Sequence, residues 1–160
     1  MERIQLIIAH NSYKEYLKRI SDWEKERIFC HHDPNHFLNV ARIAWILNLE
    51  EAYECDRELV YAAALLHDIG RFKQYEDGTD HALYSAELAP QILRDCGYNM
   101  LEVEQIVSAI ATHRKSEIKQ EKTLGGLLYR ADKLSRDCYF CQAEQQCNWK
   151  QDKKNQKLMI

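Results

Sequence analysis

The stretch YAAALLHDIGRF, Tyr61 to Phe72, constrains the fold more than any other part of the chain. Tyr61 to Leu66 is an unbroken apolar run that reads as the inside of a protein. His67 and Asp68 follow directly. A carboxylate taken into an interior without a partner costs several kcal/mol even after relaxation. The rest of the chain therefore has to bring a compensating group to this point.

The surrounding pattern is helical nearly throughout. Five Gly and two Pro in 160 residues leave little room for the turns of a β-rich fold. The expectation is an all-α, single-domain helical bundle of about six or more helices, spanning 1–160 and ending in a polar, cysteine-containing segment from about 137 to 160. The first helix is placed at about Arg3 to Ile20. Asp33 caps the next, with Pro34 at the favoured first position. Asp56 caps the helix that holds the opening stretch, and Gly70 is expected to end it. Arg71 to Thr79 reads as a loop. Asp80 caps a fourth helix, in which Pro90 is expected to kink the axis. Asn99 and Glu102 form a capping box for a fifth, and the sixth runs from about Thr123 to Leu134. Gly125 and Gly126 in that helix would let a neighbour approach closely.

One pattern recurs on five of these segments: an apolar stripe begins or ends with a His or an Asp. His36 shares a face with Val40, Ile43 and Leu47; His67 with Val60 and Ala64; His113 with Val103, Ile106 and Ile110; Asp132 with Leu124 and Leu128. His81 opens the fourth helix. A single inward histidine is usually hydrogen-bonded in a core. Six such residues would each need a private partner, whereas a shared divalent cation satisfies imidazole and carboxylate together. Asp68 and His67 are thus expected to be compensated by metal.

Composition narrows the function. The formal net charge of -3 gives no general pull toward nucleic acid or anionic membrane. No apolar run reaches the length of a membrane span. The opening MERIQLIIAHNSYKEY breaks too early with polar residues to be a secretion signal. A cytoplasmic protein is expected, in which the six cysteines read as reduced thiols or metal ligands rather than disulfides.

The order His36, His67-Asp68, Asp132, in the segments HFLNVARIA, AALLHDIGRF and LYRADKL, resembles the HD-domain superfamily of metal-dependent phosphohydrolases. The resemblance covers about Asp33 to Arg136. It implies a helical bundle with the site at its centre and His36, His67, Asp68 and Asp132 as metal ligands. Some members add two histidines and hold two metals, often iron; His81, in DHALYSAE, and His113, in AIATHRK, stand at those places. A binuclear site bridged by Asp68 is implied, filled by Fe, or by Mn, Ni, Co or Zn. The implied substrate is a nucleotide or another small phosphate ester, attacked by metal-activated hydroxide. The Gly-Tyr-Pro signature of one cyclic-dinucleotide branch is missing, which counts against that substrate. Two alternatives stay open: a di-iron oxygenase of the same fold, and a non-catalytic metal- or nucleotide-binding module.

Transfer of a phosphoryl group rests on positioning and charge neutralisation. Arg71 and Lys133, each adjacent in sequence to a ligand, are the candidate phosphate contacts. The bland alternative is solvated surface charge or a helix C-terminal cation. His32, one turn before His36, is a candidate for substrate contact or proton donation; alternatively it is a loop histidine in water. His31 is a weaker candidate of the same kind, and His10 reads as incidental. Cys138, Cys141 and Cys147 have the spacing C-x2-C-x5-C. With Cys30, six residues before His36, they could close a structural zinc or iron–sulfur site; alternatively they are unrelated reduced thiols.

Overall fold

The computed structural model describes residues 1–158 and 160. Eight α-helices follow one another: α1 (Glu2–Ala9), α2 (Asn11–Glu24), α3 (Pro34–Glu50), α4 (Arg57–Leu66), α5 (Arg71–Asp77), α6 (His81–Asp95), α7 (Met100–Thr112) and α8 (Leu124–Leu134). One short 3-10 turn, Ser116–Gln120, joins α7 to α8, and three more make up the regular structure among the described residues after α8. The described residues contain no β-strand.

The apolar run becomes the central helix. Ala62, Ala63, Ala64 and Leu66 of α4 have no exposed surface. Helices α1, α3, α7 and α8 all pack against α4. Its alanines make this possible, because short side chains let several backbones come close at once. The second layer is formed by α6 on α7 and by α3 on α8. Phe37, Val40, Leu127, Leu128, Ile106 and Ile110 fill the space between.

The caps were legible in the sequence. The Asp33 carboxylate accepts from the His36 amide at 2.9 Å. Asp56 accepts from Glu58 and Leu59, and Asp80 from Ala82 and Leu83. The Asn99–Glu102 capping box is complete in both directions. Helix α6 continues from His81 to Asp95 with Pro90 inside it.

Four expectations are corrected. The first helix is two, broken where His10 takes an extended backbone. His10 is not incidental: its Nδ1 accepts from the Ser12 amide at 3.2 Å and caps α2. Its Nε2 lies 3.2 Å from Asp95. Arg71 to Asp77 is helix α5, not loop; the left-handed residue that stops it is Gly78, with φ of 81°. Gly70 does not end α4 in a left-handed conformation, since its φ is -85°. It is small because α6 crosses there: a Cβ at Gly70 would stand 2.6 Å from the Ser85 amide nitrogen. Gly125 and Gly126 do permit close approach, against Thr112 of α7 and the chain at Ile118–Glu121.

Candidate metal centre

Five elements deliver side chains to one point. His36 comes from the first turn of α3, His67 and Asp68 from the turn that closes α4, and His81 from the start of α6. His113 comes from the residue after α7, and Asp132 from the last turn of α8. Asp68 lies between imidazoles. Its Oδ1 is 3.0 Å from His81 Nε2 and 3.4 Å from His113 Nε2. Its Oδ2 is 3.5 Å from His67 Nε2 and 3.6 Å from His32 Nε2. Asp132 Oδ1 is 3.7 Å from His36 Nε2 and 3.8 Å from His67 Nε2.

Two groups of three are close enough to hold an ion: His36, His67 and Asp132, and His67, Asp68 and His113, with donor atoms within 4.8 Å of one another in each. Ligands about 2.0–2.2 Å from a common ion stand roughly 3 Å apart. The observed spacing is therefore that of a ligand shell, slightly open.

The histidines are oriented for this. His67 Nδ1 faces the Ala64 carbonyl at 2.7 Å, and His113 Nδ1 faces the Ile110 carbonyl at 2.7 Å. A carbonyl only accepts, so each Nδ1 carries the proton and each Nε2 keeps a bare lone pair. The Ser135 hydroxyl donates to the Asp132 carbonyl at 2.8 Å and lies 3.4 Å from His36 Nδ1. His36 can therefore donate to Ser135 and is left with the same tautomer. Gln74 Oε1 faces His81 Nδ1.

What remains is unpaired. His36 Nε2, His67 Nε2 and Asp68 Oδ1 are buried and have no hydrogen-bond partner. Buried polar atoms without partners are rare, because each carries a full desolvation penalty. Three of them at one place, all acceptors, match a cation in both position and sign.

The electrostatics agree. Burial, joined by the neighbouring His67, depresses His36 to about 4 and keeps it neutral. Burial would raise Asp68, but His67, His81 and His113 outweigh it and hold the carboxyl well below its usual range. Burial opposes ionisation of Asp132 as well, and His67 and Lys133 outweigh it. His67 moves upward because Asp68 and Asp132 overcome its burial. The field that would draw a proton to His67 Nε2 would also draw a divalent ion, and only one can occupy that lone pair.

The HD domain family model matches residues 35–137. The chain belongs to the HD domain family. It is 45% identical over 158 residues to an uncharacterized protein of Clostridium beijerinckii, covering 99% of both chains. It is 33% identical over 100 residues to a ribonuclease Y of Lawsonia intracellularis, spanning 62% of this chain but 17% of that protein. A crystal structure of a predicted HD superfamily hydrolase from an uncultured Thermotogales bacterium is similar over 76% of this chain and 66% of that one, with 31% identity and a TM-score of 0.59. As a member of this family the chain is a metal-dependent hydrolase in general class, with an all-α HD fold.

Around the HD residues stands a rim of polar groups. Arg71 is half-buried, and its guanidinium reaches His81 Nδ1 at 2.8 Å, Gln74 at 3.2 Å and the Tyr75 hydroxyl at 3.3 Å. The Lys133 ammonium pairs with Asp132. Two further cations close to the ligands in sequence are engaged elsewhere: Lys73 with Asp77, and Arg114 with Asp80. His31 is exposed, with Nε2 2.9 Å from the Arg27 carbonyl. His32 faces inward.

Glu24 of α2 is one residue that sequence reasoning missed. It is 2% exposed. It accepts from the His32 amide at 2.6 Å and from the Tyr75 hydroxyl at 2.6 Å, and it also pairs with His32 Nδ1. Burial would raise Glu24, but His32 and Tyr75 hold it down at about 2. Nothing in spacing could have revealed this, because Glu24 lies on an exposed-looking helix separated from His32 by a loop. Ser135 and Gln74 were missed too. Ser135, three residues after Asp132, had a helical-face signal. Cys30 is exposed and Cys138, Cys141 and Cys147 are half-buried; all are free thiols, and no three of these sulfurs are within 4.8 Å of one another. Among the described residues, no helix is long and apolar enough to cross a membrane.

Proposed function

We propose that this HD domain is a phosphohydrolase of nucleotides or other small phosphate esters, acting through two divalent metal ions. The observation that carries the reading is the trio of unpaired buried acceptors, His36 Nε2, His67 Nε2 and Asp68 Oδ1, inside a set of six ligand-type side chains. His36, His67, Asp68 and Asp132 would hold one ion; Asp68, His81 and His113 would hold the second. Bound there, such ions, iron above all or else Mn, Ni, Co or Zn, supply Lewis-acid chemistry: they lower the pKa of water and polarise a phosphoryl oxygen.

The protein's own groups do the remaining work. Asp68 presents Oδ1 to His81 and His113 and Oδ2 to His67, so it would be shared between the two ions. Arg71 stands beside His81 and can neutralise a phosphoryl oxygen. Lys133 can do the same on the Asp132 side. Glu24 accepts a hydrogen bond from His32 Nδ1, which turns Nε2 toward Asp68. From there His32 can contact substrate or donate a proton to a leaving oxygen. The similarity to ribonuclease Y proteins supports attack at a phosphate ester, although the chain spans about a fifth of their length.

The test is release of phosphate or nucleoside phosphate from a panel of nucleotides and dinucleoside polyphosphates, with protein loaded with each metal. Asp68→Ala should abolish release and most metal binding. His81→Ala with His113→Ala should reduce two bound ions per chain to one. Normal turnover by the Asp68→Ala protein would overturn the mechanism. Oxygen consumption without phosphate release would replace hydrolysis by oxygenase chemistry.

A further inference from the structure

Helix α8 carries Asp132 and Lys133 in its last turn, and Ser135 directly follows it. A helix leaves its last four carbonyls without an intrahelical donor. A left-handed residue after a helix commonly turns the next amides onto them. Neither Ser135, with φ of -69°, nor Arg136 takes that conformation. The donors come from elsewhere. The Ala131 carbonyl accepts from the Ser135 amide at 2.9 Å, and the Asp132 carbonyl from the Ser135 hydroxyl at 2.8 Å. The other two, of Lys133 and Leu134, accept from Asn155 Nδ2 at 2.9 and 3.2 Å. The same nitrogen donates to the Arg136 carbonyl at 2.9 Å. Carbonyls only accept, so Asn155 meets them with its NH2, whose two protons are shared among the three.

Asn155 lies 22 residues beyond Lys133 in the chain. Polar contacts, not a core, bring it back. From residue 137 onward only Ala143 is buried among the described residues. A cavity of about 180 Å³ remains beneath the returning chain, lined by Asn39 and Ile43 of α3 and by Leu134, Ser135, Tyr139 and Lys157 among others. The Arg136 guanidinium lies over the Trp149 ring at 4.2 Å and donates to the Lys153 carbonyl at 3.3 Å. The Lys154 side chain is 4% exposed and donates to the Glu144 carbonyl at 2.8 Å and its carboxylate at 2.9 Å. The C-terminal segment is thus a strap folded on itself and hooked onto the end of α8 through Asn155.

We propose that Asn155 is a positioning residue of the metal centre: it clasps the end of α8 and so holds Asp132 and Ser135 against His36, on the side of the ion they would share. The inference rests on the two-ion reading above. What hangs on the clasped turn gives the consequence. Asp132 Oδ1 is 3.7 Å from His36 Nε2. Ser135, between the clasped Leu134 and Arg136, lies 3.4 Å from His36 Nδ1 and orients that ring. A last turn that loses the partners of two carbonyls frays, and fraying carries both groups away from His36. The second ion has no ligand on α8. Asp68, His81 and His113 stand on the turn after α4, on α6 and after α7, so that ion should not feel the change.

Mn²⁺ affinity is measured by chelator competition in two backgrounds. The chain carrying His81→Ala and His113→Ala should keep only the ion held with Asp132, and the chain carrying Asp132→Ala only the other. Adding Asn155→Ala should weaken Mn²⁺ binding by roughly 10-fold in the first background and leave it unchanged in the second. Equal weakening in both would mark a general loss of stability, and no weakening in the first would mean that Asp132 and Ser135 hold their places unaided; either result overturns the proposal. The clasp is also read on the unmodified, metal-free chain, from exchange of the Asn155 side-chain amide protons by nitrogen-edited NMR. They should exchange more slowly than those of free asparagine, and exchange at the free rate would overturn the proposal. That measurement decides should Asn155→Ala fail to fold. It also decides should the unmodified chain bind no ion, a result that by itself refutes the two-ion reading and not the clasp.

Discussion

His67 has no exposed surface, and its Nε2 is bare because its other nitrogen is committed to the Ala64 carbonyl. That one bond sets the tautomer, and with it the direction in which the site can accept a cation. Ser135 does the same for His36 less tightly, at 3.4 Å. Such supporting contacts are commonly worth 10–100-fold in metal affinity or activity. Ser135→Ala is therefore expected to weaken metal binding by roughly 10-fold, read as a shift in the chelator concentration that strips the protein, with the helical circular dichroism unchanged. Glu24→Gln keeps the shape but removes the charge that His32 and Tyr75 share. It should reduce kcat by roughly 10–100-fold and leave metal content intact. Full activity in Glu24→Gln would show that His32 needs no such anchor.

At the level of the element, α4 works because nothing on it is large where its neighbours cross. Gly70 extends that rule into the turn, with Ser85 Oγ accepting from its amide at 2.9 Å. Gly70→Ala places a methyl against the α6 backbone and should cost about 1–3 kcal/mol, measured by urea unfolding; an unchanged midpoint would mean that α6 yields freely. The N-terminal helix is fixed differently, by charge. Arg3 joins Glu58 of α4 and Glu102 of α7, and the chain's amino group also reaches Glu58. The amino group first and Arg3 with it hold Glu58 below its usual value of about 4.5, and Arg3 does so for Glu102. A depressed carboxyl stabilises the fold at pH above its ordinary value, and that contribution is lost as pH falls through the folded-state value. Stability should thus decline below about pH 4.5, and Glu58→Gln with Glu102→Gln should flatten that decline. These pairs face solvent, so each contributes no more than about 1 kcal/mol. An identical acid profile in the double variant would remove them from the account.

For the molecule as a whole, the sequence carried the long helices, their caps and the six polar residues on apolar stripes. These features are local: a cap needs three residues and a stripe needs one helix. What it did not carry depends on where helices cross. Gly70 looked like a helix stop, but its role is set by α6. Arg71 to Asp77 looked like loop because Gly78 and its polar residues masked a two-turn helix. Glu24 could not be assigned at all, since its partners His32 and Tyr75 arrive from two other segments. The centre also joins five elements, so its metal should stabilise the entire fold. A ligand present at a hundred times its Kd adds about 2.7 kcal/mol, and stripping should lower Tm by roughly 5–10 °C for a chain of this size. An unchanged Tm would mean that the donors are satisfied without metal.

The most direct measurement is an anomalous-difference map from crystals grown with Fe²⁺ or Mn²⁺, collected on either side of the metal's absorption edge. The account predicts density enclosed by the Nε2 atoms of His36 and His67 and the carboxylates of Asp68 and Asp132, with a second peak between Asp68, His81 and His113. A map empty at both places, or one in which those nitrogens carry protons and pair with the carboxylates instead, would contradict it.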